Sequence, residues 1–280
     1  MSSRVITEKR IALFGRYLSD NEKSLVTIEK YLRDIRHFRE WLGERACHKK
    51  EVIAYKESLS REYAVTSANS MLAALNAFFR FVGWQELCVR QFKTQKKAFC
   101  SADKELSQEE YKRLVRAAEV KRNERLSLIL QTICSTGIRV SELAYITVEA
   151  VTVGKAIVSC KGKTRTVFIV SALQKKLMKY AKGQGITSGM IFVSKGGKAM
   201  NRSNVWKEMK ALCHSAGVSP SKVFPHNLRH LFARTFYGIE KDIAKLADIL
   251  GHSSINTTRI YIITTGEEHR RRMERMRLIL

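Results

Sequence analysis

From Leu25 to Leu42 the apolar residues Leu25, Ile28, Leu32, Ile35 and Phe38 recur at steps of three and four, which places them on one helical stripe that must be buried. The same period predicts helices at about 5–19, 49–60 and 67–83. The last of these has Leu72, Leu75, Phe79 and Val82 as its inner row and Thr66 or Ser67 as its N-cap. Residues 1–89 are therefore expected to form a four-helix unit.

The stretch "RQFKTQKKAFCSADKELSQEE" lacks that period and carries Arg90, Lys93, Lys96 and Lys97. It predicts a linker over 90–104, read either as a basic strap that tracks a phosphate backbone or as a solvated connector. It ends in Ser107-x-x-Glu110, the pattern of a capping box that opens a helix. A second unit is expected over 105–280, with helices at about 107–119 and 123–135 and another from Ser141. "AIVSC" and "TVFIV" are β-branched runs around "KGKTR", which predicts a hairpin turned at Gly162. "MIFV" predicts a short strand before Gly196-Gly197, and the remainder returns to helical spacing. The expected fold is mainly α, with a four-helix first unit and a mixed α+β second unit holding a small antiparallel sheet.

Charge narrows the function. There are 51 Lys and Arg against 26 Asp and Glu, a formal net charge of +25, so a large polyanion is the expected partner. A membrane surface fits less well: no apolar run reaches about 18 residues, and the opening "MSSRVITEKR" is polar, without the look of a secretory leader. The six cysteines are scattered and form no CxxC pair, so they read as reduced thiols of a cytoplasmic protein.

Four stretches could carry chemistry. In "STGIRVSELAYI", Arg139 stands at a helix entrance, where it could hold a phosphate or pair with Glu142. In "PHNLRH", His226 and Arg229 are three apart and share a helical face. His226 and His230 are four apart, as in zinc-binding HExxH helices, but Asn227 stands where that mechanism needs glutamate, and His230 before Leu231 and Phe232 reads as a core histidine. Lys161 sits at the mouth of the hairpin turn. In "LGHSSINTTRIY", Tyr261 follows His252 by nine residues; a phenol with a reference pKa near 10 becomes a nucleophile only with cations and a base beside it.

These motifs, in this order, resemble those of the tyrosine recombinase (phage integrase) family, most closely its short Xer-like members, and the first helical unit is similar to that family's SAM-like core-binding domain. The resemblance implies that Tyr261 attacks a scissile DNA phosphate and forms a 3'-phosphotyrosyl bond. It implies that Arg139 and Arg229 hold the non-bridging oxygens and that Lys161, with Lys163 as the fallback, gives a proton to the leaving 5'-oxygen. His226 would take the tyrosine proton, His252 would hydrogen-bond the phosphate and Glu142 would support its neighbours. It implies no metal and no ATP, and a partner of double-stranded DNA with paired half-sites, bound by a dimer on each site and a tetramer in synapsis. Residues 267–280, "EHRRRMERMRLIL" with the preceding Glu267, would then be a terminal helix docking on a neighbouring protomer, where the alternative is a solvated helix. Ile262-Ile263 replace the family's common Thr-His, and Cys160 replaces a common glycine; neither removes a catalytic group. A type IB topoisomerase-like nicking and closing enzyme and a non-catalytic basic DNA-binding protein are the alternatives.

Overall fold

The computed structural model describes residues 4–93, 104–160, 162–194, 196–261, 270 and 273–276. The chain divides into two compact units, Met1–Lys96 and Lys97–Leu280.

The first unit is built from α1 (Glu8–Asp20), α2 (Leu25–Leu42), α3 (Lys49–Glu62) and α4 (Val65–Phe81). Thr7 and Ser24 cap the first two, each side-chain oxygen accepting an amide three residues on. Phe14, Phe38, Phe78 and Phe79 are fully buried between the helices, and Phe14 meets Phe78 edge-on with ring centroids 5.5 Å apart. Burial of each such ring contributes roughly 1.5–3 kcal/mol. The fourth helix starts earlier than the sequence suggests. Ala64 is extended and its carbonyl accepts the amides of Ser67 at 2.8 Å and Ala68 at 3.0 Å, so the helix is under way at Val65 and neither Thr66 nor Ser67 is its cap.

Two asparagines of α4, seven residues apart, hold the chain that leaves this unit. Asn76 accepts the amide of Val89 at 3.0 Å and donates to its carbonyl at 2.8 Å; Asn69 does the same with Phe92 at 2.8 and 2.9 Å. The first residues of the expected linker are thus fastened to α4, with Arg90 and Lys93 exposed. Lys96 and Lys97 lie outside the described residues.

The second unit opens with α5 (Gln108–Val120), whose Ser107–Glu110 capping box makes both of its hydrogen bonds, followed by α6 (Glu124–Thr136). The helix expected from Ser141 is instead a 3-10 turn, Val140–Tyr145, followed by the short α7 (Val148–Val153). The break has a cause: the backbone at 146–148 is drawn off to pair with 189–191, Val148 N donating to Gly189 O and Ile191 N to Ile146 O. "MIFV" is correspondingly no strand but two isolated bridges, Thr147 to Met190 and Val193 to Ala199, because Ile191 and Phe192 are both fully buried and leave no alternation of faces.

Strands β1 (Lys155–Cys160) and β2 (Lys163–Phe168) pair antiparallel in the register Cys160 to Lys163 through Lys155 to Phe168. Ala156, Val158 and Val167 face the core, while Ile157 and Phe168 face outward. The chain continues through α8 (Ser171–Gly183), α9 (Arg202–Lys210), α10 (Cys213–Ala216), α11 (Pro225–Glu240), α12 (Ile243–Leu250) and α13 (Ile255–Arg259). Among the described residues the fold is mainly α with one small antiparallel sheet.

Candidate active site

Gly137 sets the geometry at the end of α6. It closes the helix with φ +66°, and a Cβ there would lie 2.4 Å from the Phe232 ring, so only glycine lets α6 end this close to α11. Two residues on, Arg139 is extended and caps the 3-10 turn. The Arg139 amide donates to Glu142 at 2.7 Å and its Nη1 donates to the same carboxylate at 2.9 Å. Phosphate holding and pairing with Glu142 are therefore not exclusive, because this pairing engages one guanidinium nitrogen.

Helix α11 has Pro225 at its first turn, where the missing amide costs nothing. His226, Arg229 and His230 follow at helical spacing. Arg229 is 1% exposed. It donates through Nη1 to Gly137 O at 2.5 Å, and through Nη2 to Leu250 O at 2.6 Å and to His252 Nε2 at 3.0 Å. Its Nε is buried without a hydrogen-bond partner. Burial, then the charge of Arg139, lowers its pKa to about 10, so it stays cationic at neutral pH.

Helix α12 stops at Gly251 and hands the chain to His252. A guanidinium can only donate, so His252 Nε2 is the acceptor from Arg229, and Nδ1 carries the proton and donates to Thr258 Oγ1 at 2.9 Å. Thr258, fully buried on α13, also accepts through its carbonyl the amide of Tyr261 at 2.9 Å.

Tyr261 is 5% exposed and is enclosed by three imidazoles. The ring centroids of His226, His230 and His252 lie 5.4, 4.2 and 5.2 Å from its own. Its hydroxyl is 3.3 Å from Nε2 of His226. His226 stands at the rim, and desolvation, then Arg229, Arg139 and Arg202, lowers its pKa below the usual 6.5. Desolvation is also the leading cause that takes His230 to about 4, and His252 to about 4 with Arg229 next. All three rings are neutral at pH 7, so His226 is able to accept a proton.

A cleft of about 850 Å³ opens here, lined by Arg139, Ser141, Arg165, Gly251 and His252 among others. A second hollow of about 440 Å³ is lined by Arg139, Arg202, Trp206, His226 and Arg229. Arg139 borders both. Burial would raise the pKa of Glu142, but hydrogen bonds from Arg165 and the Arg139 amide hold its carboxyl below the ordinary value.

The structure thus brings Arg139, Glu142, His226, Arg229, His252 and Tyr261 together. Lys161 lies outside the described residues; Lys163 opens β2, and its side chain is outside them as well. Arg90 and Lys93 belong to the first unit. His230, Arg165 and Thr258 join the site without having been singled out as site residues. A one-turn spacing from His226 was the available signal for His230, which sequence reasoning reads as a core residue; Arg165 and Thr258 gave none. Among the described residues no group of three or more His, Cys, Asp or Glu is placed to hold a metal ion.

Residues 104–268 match the family model described as "Phage integrase family", and residues 11–86 match "Phage integrase, N-terminal SAM-like domain". The chain is 31% identical over 274 residues to a protein named tyrosine recombinase XerA from Thermococcus kodakarensis, covering 95% of this chain and 94% of that one. In fold it is similar to a lambda integrase (75–356) dimer bound to a COC' core site, with TM-score 0.74, 19% identity and coverage of 93% and 96%. It is also similar to a lambda integrase tetramer bound to a Holliday junction, with TM-score 0.74, 20% identity and coverage of 93% and 78%.

Proposed function

The chain belongs to the phage integrase family and is a site-specific DNA recombinase, and from that premise we propose that Tyr261 is its nucleophile and that Arg139, His226, Arg229 and His252 form its phosphate site. The observation that carries this reading is the Tyr261 hydroxyl 3.3 Å from a neutral His226 nitrogen, beside the buried cation of Arg229.

The Tyr261 oxygen attacks the scissile phosphorus as His226 takes its proton, the bond from phosphorus to the 5'-oxygen breaks, and a 3'-phosphotyrosyl bond forms. Negative charge grows on the non-bridging oxygens, and Arg139 and Arg229 are fixed cations that favour it. Lys161 gives the departing 5'-oxygen its proton, with Lys163 as the second candidate. The 5'-hydroxyl of the partner strand then attacks, the bond from phosphorus to the tyrosine oxygen breaks, and the strands are rejoined in exchanged order. Energy of the phosphodiester is kept in the phosphotyrosyl bond, so the reading calls for neither metal nor ATP.

Arg229 is buried, and the Nε2 lone pair of His252 accepts a hydrogen bond from it. For His252 to donate to a phosphate, Arg229 must turn its nitrogens toward the DNA and the imidazole proton must move to Nε2. The substrate is duplex DNA with paired half-sites. A dimer on each site and a tetramer in synapsis follow the assemblies named for lambda integrase. Arg90, Lys93, Lys96 and Lys97 are backbone contacts, residues 267–280 dock on a neighbouring protomer, and the protein works in the cytoplasm on DNA. Met273 and Met276 are exposed, which leaves them available to a neighbour. Among the described residues no helix is long and apolar enough to cross a membrane.

The test uses a circular DNA with two copies of a repeat-bearing site taken from the DNA that flanks the coding sequence. Recombinant products support the reading. Relaxed circles without exchanged strands would point to the nicking and closing alternative.

A further inference from the structure

We propose that Arg165 is a positioning residue for the phosphate site, acting through Glu142 and the end of α12 without touching DNA. The inference rests on the reading of Arg139 and His252 as phosphate-site residues. Arg165 lies on β2, across from Val158, with a side chain only 12% exposed. Its Nη1 donates to Glu142 Oε1 at 3.0 Å and its Nη2 to Oε2 at 2.7 Å, a bidentate fork. Its Nε donates to the carbonyl of Ile249 at 3.0 Å.

Two consequences follow from that arrangement. Glu142 is 1% exposed and takes donors from both Arg139 and Arg165. A buried carboxylate facing Arg139 alone would cancel the charge that the phosphate needs; the second guanidinium balances Glu142 and leaves Arg139 with nitrogens free for an anion. The second consequence concerns His252. The stem of Arg165 covers Gly251, where a Cβ would come within 2.9 Å of Arg165 Cδ, and Gly251 has φ +65°. Arg165 therefore fixes the backbone immediately before His252 while also fixing the turn that carries Arg139. One side chain sets the distance between two groups that must meet the same phosphate. Lysine cannot replace it, because a single ammonium has no planar fork.

The test uses the full chain with R165K and R165M. It measures affinity for target-site DNA and its salt slope, single-turnover cleavage of a nicked substrate, the pH profile of cleavage, and thermal melting. Binding and salt slope should stay as in the parent, while cleavage slows about 10–100-fold in both variants, the scale seen when a supporting partner of a reactive group is lost. In R165M, Glu142 remains buried without its fork, so its pKa rises and cleavage acquires an acid limb, falling as pH drops. Combining R165M with E142Q should remove that limb and cost no more than the worse single change, because both act on one unit.

R165K cleaving at the parent rate would overturn the inference, and so would additive effects of R165M and E142Q. A loss in R165M that tracks weaker binding with a shallower salt slope would make Arg165 a direct phosphate contact and overturn it as well. Should R165M fail to fold, R165K carries the test, since it keeps the charge. R139A separates the two levels: if R139A cleaves normally the site reading fails, whereas an inactive R139A beside a fully active R165K defeats this inference alone.

Discussion

Nε2 of His226 lies 3.3 Å from the hydroxyl of Tyr261, although His226 is on α11 and Tyr261 follows the end of α13, with the whole of α12 between them in sequence. Both partners of the contact belong to one chain. The fold by itself therefore brings the proposed nucleophile and the proposed base within reach of each other, beside the buried Arg229.

Gly137 is the hinge of that assembly. Gly137→Ala places a side chain at φ +66° and 2.4 Å from Phe232, and should destabilise the catalytic unit by roughly 1–3 kcal/mol. Chemical denaturation of both proteins checks this, and cleavage should fall with stability because the Gly137 carbonyl holds Arg229. An unchanged denaturation midpoint would show that α6 and α11 can move apart freely.

Acid should loosen the same unit. Desolvation lowers His230 and His252 to about 4 in the folded chain, against about 6.5 when unfolded. Below 6.5 the unfolded chain gains protons that the folded one refuses, so stability is complete above 6.5 and is lost as pH falls toward 4. Melting temperature measured against pH should show this decline, and His230→Phe should make it shallower. An equally steep decline in the variant would place the proton uptake elsewhere.

A formal net charge of +25 predicts that DNA affinity falls steeply with salt, with a log-log slope of about −0.9 for each phosphate neutralised. Arg90→Ala and Lys93→Ala should each reduce that slope by about one contact. A slope indifferent to both changes would remove them from the interface.

Truncation after residue 266 addresses the terminal segment. Binding to a single site should survive, and recombination between two sites should drop, if 267–280 docks on a neighbour. Full recombination by the truncated protein would defeat the docking.

Much of this architecture was legible in the sequence, and what was not has physical causes. The three-and-four spacing of Leu25 to Phe38 specifies a buried helical face by itself, and the Ser107–Glu110 box is a local signal that the structure uses as written. Arg139, His226, Arg229, His252 and Tyr261 could be proposed together because their motifs are contiguous strings. Arg165 could not, since its meaning lies in a carboxylate 23 residues earlier and a carbonyl 84 residues later. The 3-10 turn after Arg139 escaped for a similar reason: the Ile146 and Val148 backbone is taken by residues near 190, and no local propensity reports a competing partner. Thr66 and Ser67 were good caps by type, but the extended backbone of Ala64 started α4 before them. His230 read as core, and it is half-buried; that its ring lies against Tyr261 depends on where the end of α13 brings that residue.

The nucleophile is tested by trapping. Full-length protein is incubated with a nicked duplex that lets the 5'-end fragment diffuse away, and the adduct is digested and mapped by mass spectrometry. The expected result is a 3'-phosphate ester on Tyr261, with Tyr261→Phe binding the same DNA at parental affinity and forming no adduct. A covalent product from the phenylalanine variant, or an adduct mapped to another residue, would show that the tyrosine enclosed by the three histidines is not the group that attacks DNA.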